Sequence, residues 1–87
     1  MNIVWHPGAW DEYLWWQEND RKQVRRINRL VRDIQRGDDA EGIGKPELLT
    51  GKLSGWASRR IDQEHRLVYR VKGQNLEIVQ CRFHYEK

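Results

Sequence analysis

Glu47, Arg60, Arg66 and His84, with Tyr85 next to the last, are the side chains in this sequence best suited to acid–base work on a phosphodiester. Glu47 follows Lys45-Pro46 in a glycine-rich segment, where the proline restricts the backbone and a loop can carry a carboxylate over neighbouring strands. Arg60 and Arg66 flank a turn between two extended segments, and His84-Tyr85 closes a third, so guanidinium, imidazole and phenol are expected on adjacent strands. Each alone says little, because a strand arginine or a loop glutamate is most often simply solvated. Together they meet the minimum for cutting an RNA strand with side chains alone. A 2′-hydroxyl must lose its proton, the extra negative charge on phosphorus must be neutralised, and the leaving 5′-oxygen must gain a proton. With ordinary pKa values of ~4.3 and ~6.5, a glutamate is a carboxylate at pH 7 and a histidine is partly protonated. Glu47 therefore suits the base and His84 the acid, with Arg60, Arg66 and Arg82 as the surrounding positive charge. Neighbouring strand residues face opposite sides, so His84 and Tyr85 reach one phosphate only if the chain leaves sheet geometry after about Phe83.

Other chemistries fit less well. His6, His65 and His84 are scattered, without the His-x-x-x-His or Glu-x-x-His spacing of a metal site, so no metal and no cofactor is expected. Gly42-Ile43-Gly44-Lys45 is not a phosphate-binding loop, because position 39 is Asp where that motif needs Gly and position 46 is Pro where it needs Ser or Thr. Cys81 is the only cysteine and shares the parity of Val79 and Phe83, which marks it as a core residue rather than a nucleophile. A single cysteine also allows no internal disulfide, in keeping with a reducing compartment. The N-terminal residues lack the basic start and apolar run of a secretory signal, and no apolar run approaches a membrane span, so a cytoplasmic protein is expected.

Eighty-seven residues, 38% of them hydrophobic and 33% charged, suggest one domain over 1–87 with a small core. Residues 2–5 read as a strand, and Pro7 can open a helix of about 12 residues at the position where its missing N–H is not needed. On a helical wheel Trp10, Tyr13, Leu14 and Gln17 share one arc with Trp16 at its edge, whereas Trp15 falls among Asp11 and Glu12 and should face outward, open to a protein contact. Trp5, Trp10, Trp16 and Trp56 read as packing residues. Asp20 is a plausible cap for a second helix running to about Arg36, with Gly37 as its stop. That helix is sharply amphipathic. Val24, Ile27, Leu30, Val31 and Ile34 form one stripe, while Arg21, Lys22, Arg25, Arg26, Arg29, Arg32 and Arg36 occupy the other side. Such a face can be a solvated surface, an RNA or ribosome footprint, or a dock for an acidic protein.

Between Gly37 and Gly55 five glycines and one proline predict a structured loop or a short bent strand. Segments 58–61, 65–72 and 75–83 read as three strands in an antiparallel meander, joined at the last turn by Lys72-Gly73-Gln74-Asn75. The order is β-α-α-β-β-β, an α+β arrangement with both helices on one face of the sheet. Residues 1–44 carry seven basic and eight acidic groups (−1) and residues 45–87 carry nine and five (+4), so the second half is the better place for a polyanion.

Several segments resemble one known family. Trp10-Asp11-Glu12-Tyr13-Leu14, Trp16-Gln17, Gly44-Lys45-Pro46-Glu47-Leu48-Leu49, Leu53-Ser54-Gly55-Trp56, Ser58-Arg59-Arg60-Ile61, Glu64-His65-Arg66-Leu67-Val68-Tyr69 and Cys81-Arg82-Phe83-His84-Tyr85 resemble the YoeB/Txe toxins of the RelE superfamily, over about residues 2–85. The resemblance implies a RelE-like microbial-RNase fold, with two N-terminal helices on one face of a mainly antiparallel sheet. It also implies a ribosome-dependent mRNA endonuclease acting in the A site, neutralised by a YefM-like antitoxin and usually homodimeric. On that basis Glu47 corresponds to the general base, Arg66 to the phosphate-stabilising arginine, His84 and Tyr85 to the general acid and its neighbour, and Arg60 and Lys45 to further cations of the site. Two features depart from the family. The lysine three residues after the glutamate is replaced by Thr50, with Lys52 two positions on as the candidate substitute, and Glu86-Lys87 extend the end beyond His-Tyr. A non-enzymatic ParE-like inhibitor, or an inactive RNA-binding relative, is the alternative on the same scaffold.

Overall fold

A computed structural model describes residues 1–37 and 41–84. The chain runs β1 (Asn2–Trp5), α1 (Pro7–Asn19), α2 (Arg21–Arg36), β2 (Glu47–Leu48), a 3-10 turn (Gly51–Leu53), β3 (Ala57–Arg60), β4 (Arg66–Lys72) and β5 (Asn75–Gln80). The five strands form one sheet in the order β1-β5-β4-β3-β2, antiparallel except for the β1–β5 edge, and both helices pack on one face. The expected α+β architecture is present. Of the two readings of the glycine-rich segment the short strand is the one that forms: a two-residue strand, β2, pairs Glu47 with Ser58 and Leu48 with Ala57.

The second helix follows its sequence pattern closely. Asp20 accepts a hydrogen bond from the Lys22 N–H at 3.0 Å and so satisfies one of the donors a helix start leaves unpaired. Ile27, Leu30, Val31 and Ile34 are buried and Val24 is partly so. One cation of the polar side turns inward: Arg26 donates to the carbonyls of Ile61 and Arg60, fastening α2 to the end of β3.

α1 is rotated from the arc that its aromatic residues suggest. Ala9 and Trp16 are its buried positions, whereas Trp10 and Leu14 remain 43% and 40% exposed. The small Ala9 lets the helix lie close to the end of β5, where its carbonyl accepts from the Cys81 thiol. Trp16 Nε1 donates to the Cys81 carbonyl at 2.8 Å, and the Glu12 carboxylate accepts from the Cys81 N–H at 2.8 Å. Satisfying those two backbone groups outweighs burying the larger apolar arc. Trp10 instead joins Trp5 and Tyr13 in an aromatic group at the β1 edge.

The last strand ends at Gln80 rather than reaching 83, because the Cys81 N–H and carbonyl go to Glu12 and Trp16 instead of a neighbouring strand, and its register slips just before that end. Tyr69 pairs with Ile78 but Val68 with Gln80, so Val79 is an inserted residue that reverses the alternation beyond it. Val79 therefore packs with Leu49, Val68 and Trp56 on the face without helices, while Cys81 is buried with the helices, against their shared parity in the sequence. Burial pushes the Cys81 thiol up to about 12, which leaves it inert as a nucleophile.

Candidate functional site

The open face is assembled by strand register. Residues paired across antiparallel strands point to the same side, so Glu47 and Ser58 share a face, as do Arg60 and Arg66. Ser58 and Arg60 are two apart in β3, which brings both pairs to one side. That side is opposite to Ala57, Leu67, Tyr69, Leu76 and Ile78, which pack under the helices. β4 then leads to the end of the chain: the Arg66 N–H donates to the Phe83 carbonyl at 3.0 Å, which places His84 one residue beyond the Arg60–Arg66 row. From Glu47 the order is thus a carboxylate on β2, guanidinium groups on β3 and β4, and an exposed imidazole on the segment after β5. Three strand spacings separate the outer members, or about 14 Å between backbones.

The loop that delivers Glu47 is tied down from below. Arg59, alternate to Arg60, is wholly buried, and its guanidinium donates to the Asp33 carboxylate at 2.7 Å, the Ile43 carbonyl at 2.8 Å and the Tyr69 hydroxyl at 3.0 Å. Asp33 also accepts from the Ile43 N–H at 3.1 Å, so α2, β3 and the 41–44 loop meet at one ion pair. The Arg59 hydrogen bond holds the Asp33 carboxyl below the usual carboxylate range. A side chain at Gly42 would collide with both partners, at 2.5 Å from Arg59 and 2.6 Å from Asp33. Gly44, at φ +82°, gives its carbonyl to the Arg60 N–H at 2.6 Å, and Lys45 takes the left-handed φ of +50° before Pro46 and Glu47. The loop therefore enters β2 from the end of the sheet where Arg60 and Arg66 lie.

Arg66 is 7% exposed, and its Nη1 donates to the carbonyls of Asp62, Gln63 and His65, which fixes the guanidinium within the β3–β4 turn. Arg60 and Lys45 are exposed at the same end. Lys52 is not brought to them: it sits in the 3-10 turn between β2 and β3, at the far end of that hairpin. Arg82 differs from expectation too. Its guanidinium lies 3.4 Å from the centre of the Trp15 ring and 4.3 Å from that of Phe83, so it faces α1 instead of surrounding His84; Trp15 faces outward as its wheel position predicts, 38% exposed, with Arg82 against its ring. Tyr85 falls outside the described residues, so the pairing of His84 with Tyr85 is a matter of sequence alone. Departure from sheet geometry does occur, earlier than expected, at Gln80, and Phe83 takes a left-handed φ of +68°. No membrane-spanning helix and no converging group of three His, Cys, Asp or Glu side chains occurs among the described residues.

Arg59, Asp33 and His65 were the residues that sequence reasoning passed over. Arg59 did carry a signal, since it interrupts the apolar parity of Ala57 and Ile61, and Asp33 is the lone acid among the arginines of α2.

Comparison with known proteins identifies the family and matches the fold. A family model described as "YoeB-like toxin of bacterial type II toxin-antitoxin system" matches residues 5–85. The Toxin YoeB of Escherichia coli strain K12 is 51% identical over 85 residues, covering 98% of this chain and all of the relative. Among solved structures, a YoeB dimer from Staphylococcus aureus superposes with a TM-score of 0.91 at 47% identity, covering 98% of each chain. The heterotetrameric YoeB–YefM toxin–antitoxin complex from the same organism gives a TM-score of 0.90 at 47% identity, again over 98% of each chain. With a matching family model over nearly its full length and half its residues shared with a full-length relative, the chain belongs to the YoeB-like toxins of bacterial type II toxin–antitoxin systems.

Proposed function

We propose that this toxin is a ribosome-dependent mRNA endonuclease whose reaction needs only side chains of the open sheet face. Glu47 takes the proton from a 2′-hydroxyl, and the oxygen attacks the adjacent phosphorus, forming the P–O2′ bond as the P–O5′ bond breaks. His84 gives its proton to the departing 5′-oxygen, so the products are a 2′,3′-cyclic phosphate and a 5′-hydroxyl end. Arg66 and Arg60 neutralise the charge gathering on the phosphoryl oxygens, with Lys45 beside them and Tyr85 next to the acid. Lys52, at the other end of the hairpin, is better placed for contact with the RNA strand than for the reacting phosphate. Such a division of labour gives ~10²- to 10⁴-fold for the proton transfers, with charge stabilisation supplying more. The observation that carries the reading is the register, which sets Glu47 on one side of Arg60 and Arg66 and the His84-bearing segment on the other.

The exposed arginines of α2 other than Arg26 suit the phosphates of ribosomal RNA. By analogy with the Staphylococcus aureus YoeB dimer and YoeB–YefM complex, the chain pairs with a second copy and is bound and silenced by a YefM-like antitoxin; its proposed substrate, translated mRNA, puts its action in the cytoplasm. Inducing the toxin and mapping mRNA ends by primer extension tests the proposal. Cuts confined to translated codons, lost in Glu47→Ala and His84→Ala, are expected. Intact mRNA with falling DNA supercoiling would instead identify a ParE-like binding inhibitor.

A further inference from the structure

The turn that presents His84 is held by groups that the proposed reaction does not use. After β5 ends, the Cys81 N–H and carbonyl are taken by Glu12 and Trp16 of α1, as described above. Phe83 is then held through both of its backbone groups, its carbonyl accepting from the Arg66 N–H at 3.0 Å and its N–H donating to Nδ1 of His65 at 2.7 Å. Phe83 stands at φ +68°, a conformation that a residue with a Cβ seldom adopts unless its surroundings impose it. To accept that hydrogen bond, Nδ1 of His65 must carry a lone pair, which places the neutral ring's proton on Nε2, the atom 3.7 Å from Glu64. The ring is held in place edge-on against Trp16, with 4.8 Å between centroids, and it is tilted against Phe83 at 6.1 Å.

We propose that His65 is a positioning residue for His84: its Nδ1 acceptor locks Phe83 in the left-handed turn and so sets where the next residue leaves toward the open face. This rests on the nuclease reading only for its effect on rate; the hold on Phe83 is independent of it. A misplacement of about 1 Å can slow a reaction ~10²-fold, so a loosened turn should show itself in the chemical step.

The test compares three full-length variants. In His65→Asn the carboxamide oxygen can occupy the place of Nδ1, in His65→Gln it occupies that of Nε2, and His65→Leu removes the acceptor. Single-turnover cleavage is measured on ribosomes programmed with a defined mRNA, together with the toxin concentration for half-saturation and the Phe83 amide resonance and solvent exchange. His65→Asn should stay within about threefold of the parent rate. The Gln and Leu variants should fall ~10- to 100-fold with half-saturation unchanged, and their Phe83 amides should exchange faster. Equal rates in all three, or a His65→Asn as slow as the Leu variant, would overturn the proposal, and the Asn–Gln contrast decides even if the Leu variant folds poorly. If the parent chain cut no mRNA, the nuclease reading would fail by itself. Phe83 amide protection kept in Asn and lost in Gln would still support the His65 hold, whereas an amide unchanged in every variant would refute it.

Discussion

Arg59 and Arg60 are consecutive in β3, yet they meet opposite fates on the two faces of the sheet. Arg59 points beneath the helices, is fully buried, and directs its hydrogen bonds to Asp33, Ile43 and Tyr69. Arg60 points to the face without helices and is exposed beside Arg66 and Glu47. The same guanidinium is a structural tie on one side and a candidate phosphate ligand on the other. Residue type therefore says little about role until pleat and register assign the face. The covered face holds the loop in place, and the open face keeps charge available to a polyanion.

Substitutions can break this contrast at several points. The largest effect is expected for Asp33→Ala, which strands the wholly buried Arg59 charge and should lower unfolding free energy by ~3–5 kcal/mol in a denaturant titration. A loss below ~1 kcal/mol would mean that the covered face tolerates a lone charge and that the two faces differ less than described. The reverse change, Arg59→Met, should do less harm, because Asp33 keeps 22% of its side-chain surface in contact with water and can be hydrated.

Acid sharpens the same point. Because Arg59 lowers the Asp33 pKa in the folded state, the stabilisation is fully present above the unfolded-state value of ~3.9. It is lost as pH falls from there through the lower folded value. Melting curves of Asp33→Asn should accordingly decline less steeply below pH ~4 than those of the parent. Parallel declines would remove Asp33 from the acid response.

On the open face Arg60→Ala should leave unfolding free energy within ~0.5 kcal/mol while slowing single-turnover mRNA cleavage by about tenfold or more. A stability loss like that of Asp33→Ala would erase the distinction between the two arginines. The smallest effect belongs to Trp15→Ala, which removes the ring beneath Arg82 and should cost about 0.5–1 kcal/mol. No change in melting would show that this contact leaves the C-terminal turn unsecured.

What could be read in the sequence divides along a physical line. The α2 stripe, the Asp20 cap and the Gly37 stop are local patterns, and the structure keeps them. The rotation of α1, the inserted Val79, the inward turn of Arg26 and the course of Arg82 depend on partners more than thirty positions away, or on a register slip, to which a periodic pattern is blind. The candidate site was legible as a set of chemical types and, for Glu47, Arg60 and Arg66, as neighbours. Its supports were not, because Arg59 and His65 look like ordinary strand and turn residues until their distant acceptors and donors are in place.

The parallel edge of the sheet bears on the order in which the molecule comes together. Asn2 pairs with Asn75, 73 positions along the chain, whereas β3, β4 and β5 are joined through short turns. Closing so large a loop is entropically expensive and is repaid only late, so the meander should nucleate first and β1 should dock onto an already formed β5. In pulse-labelling during refolding, the amides of Leu67 to Tyr69 should gain protection ahead of those of Ile3 to Trp5, and the strands that carry Arg60 and Arg66 would be set before the first strand finds its place.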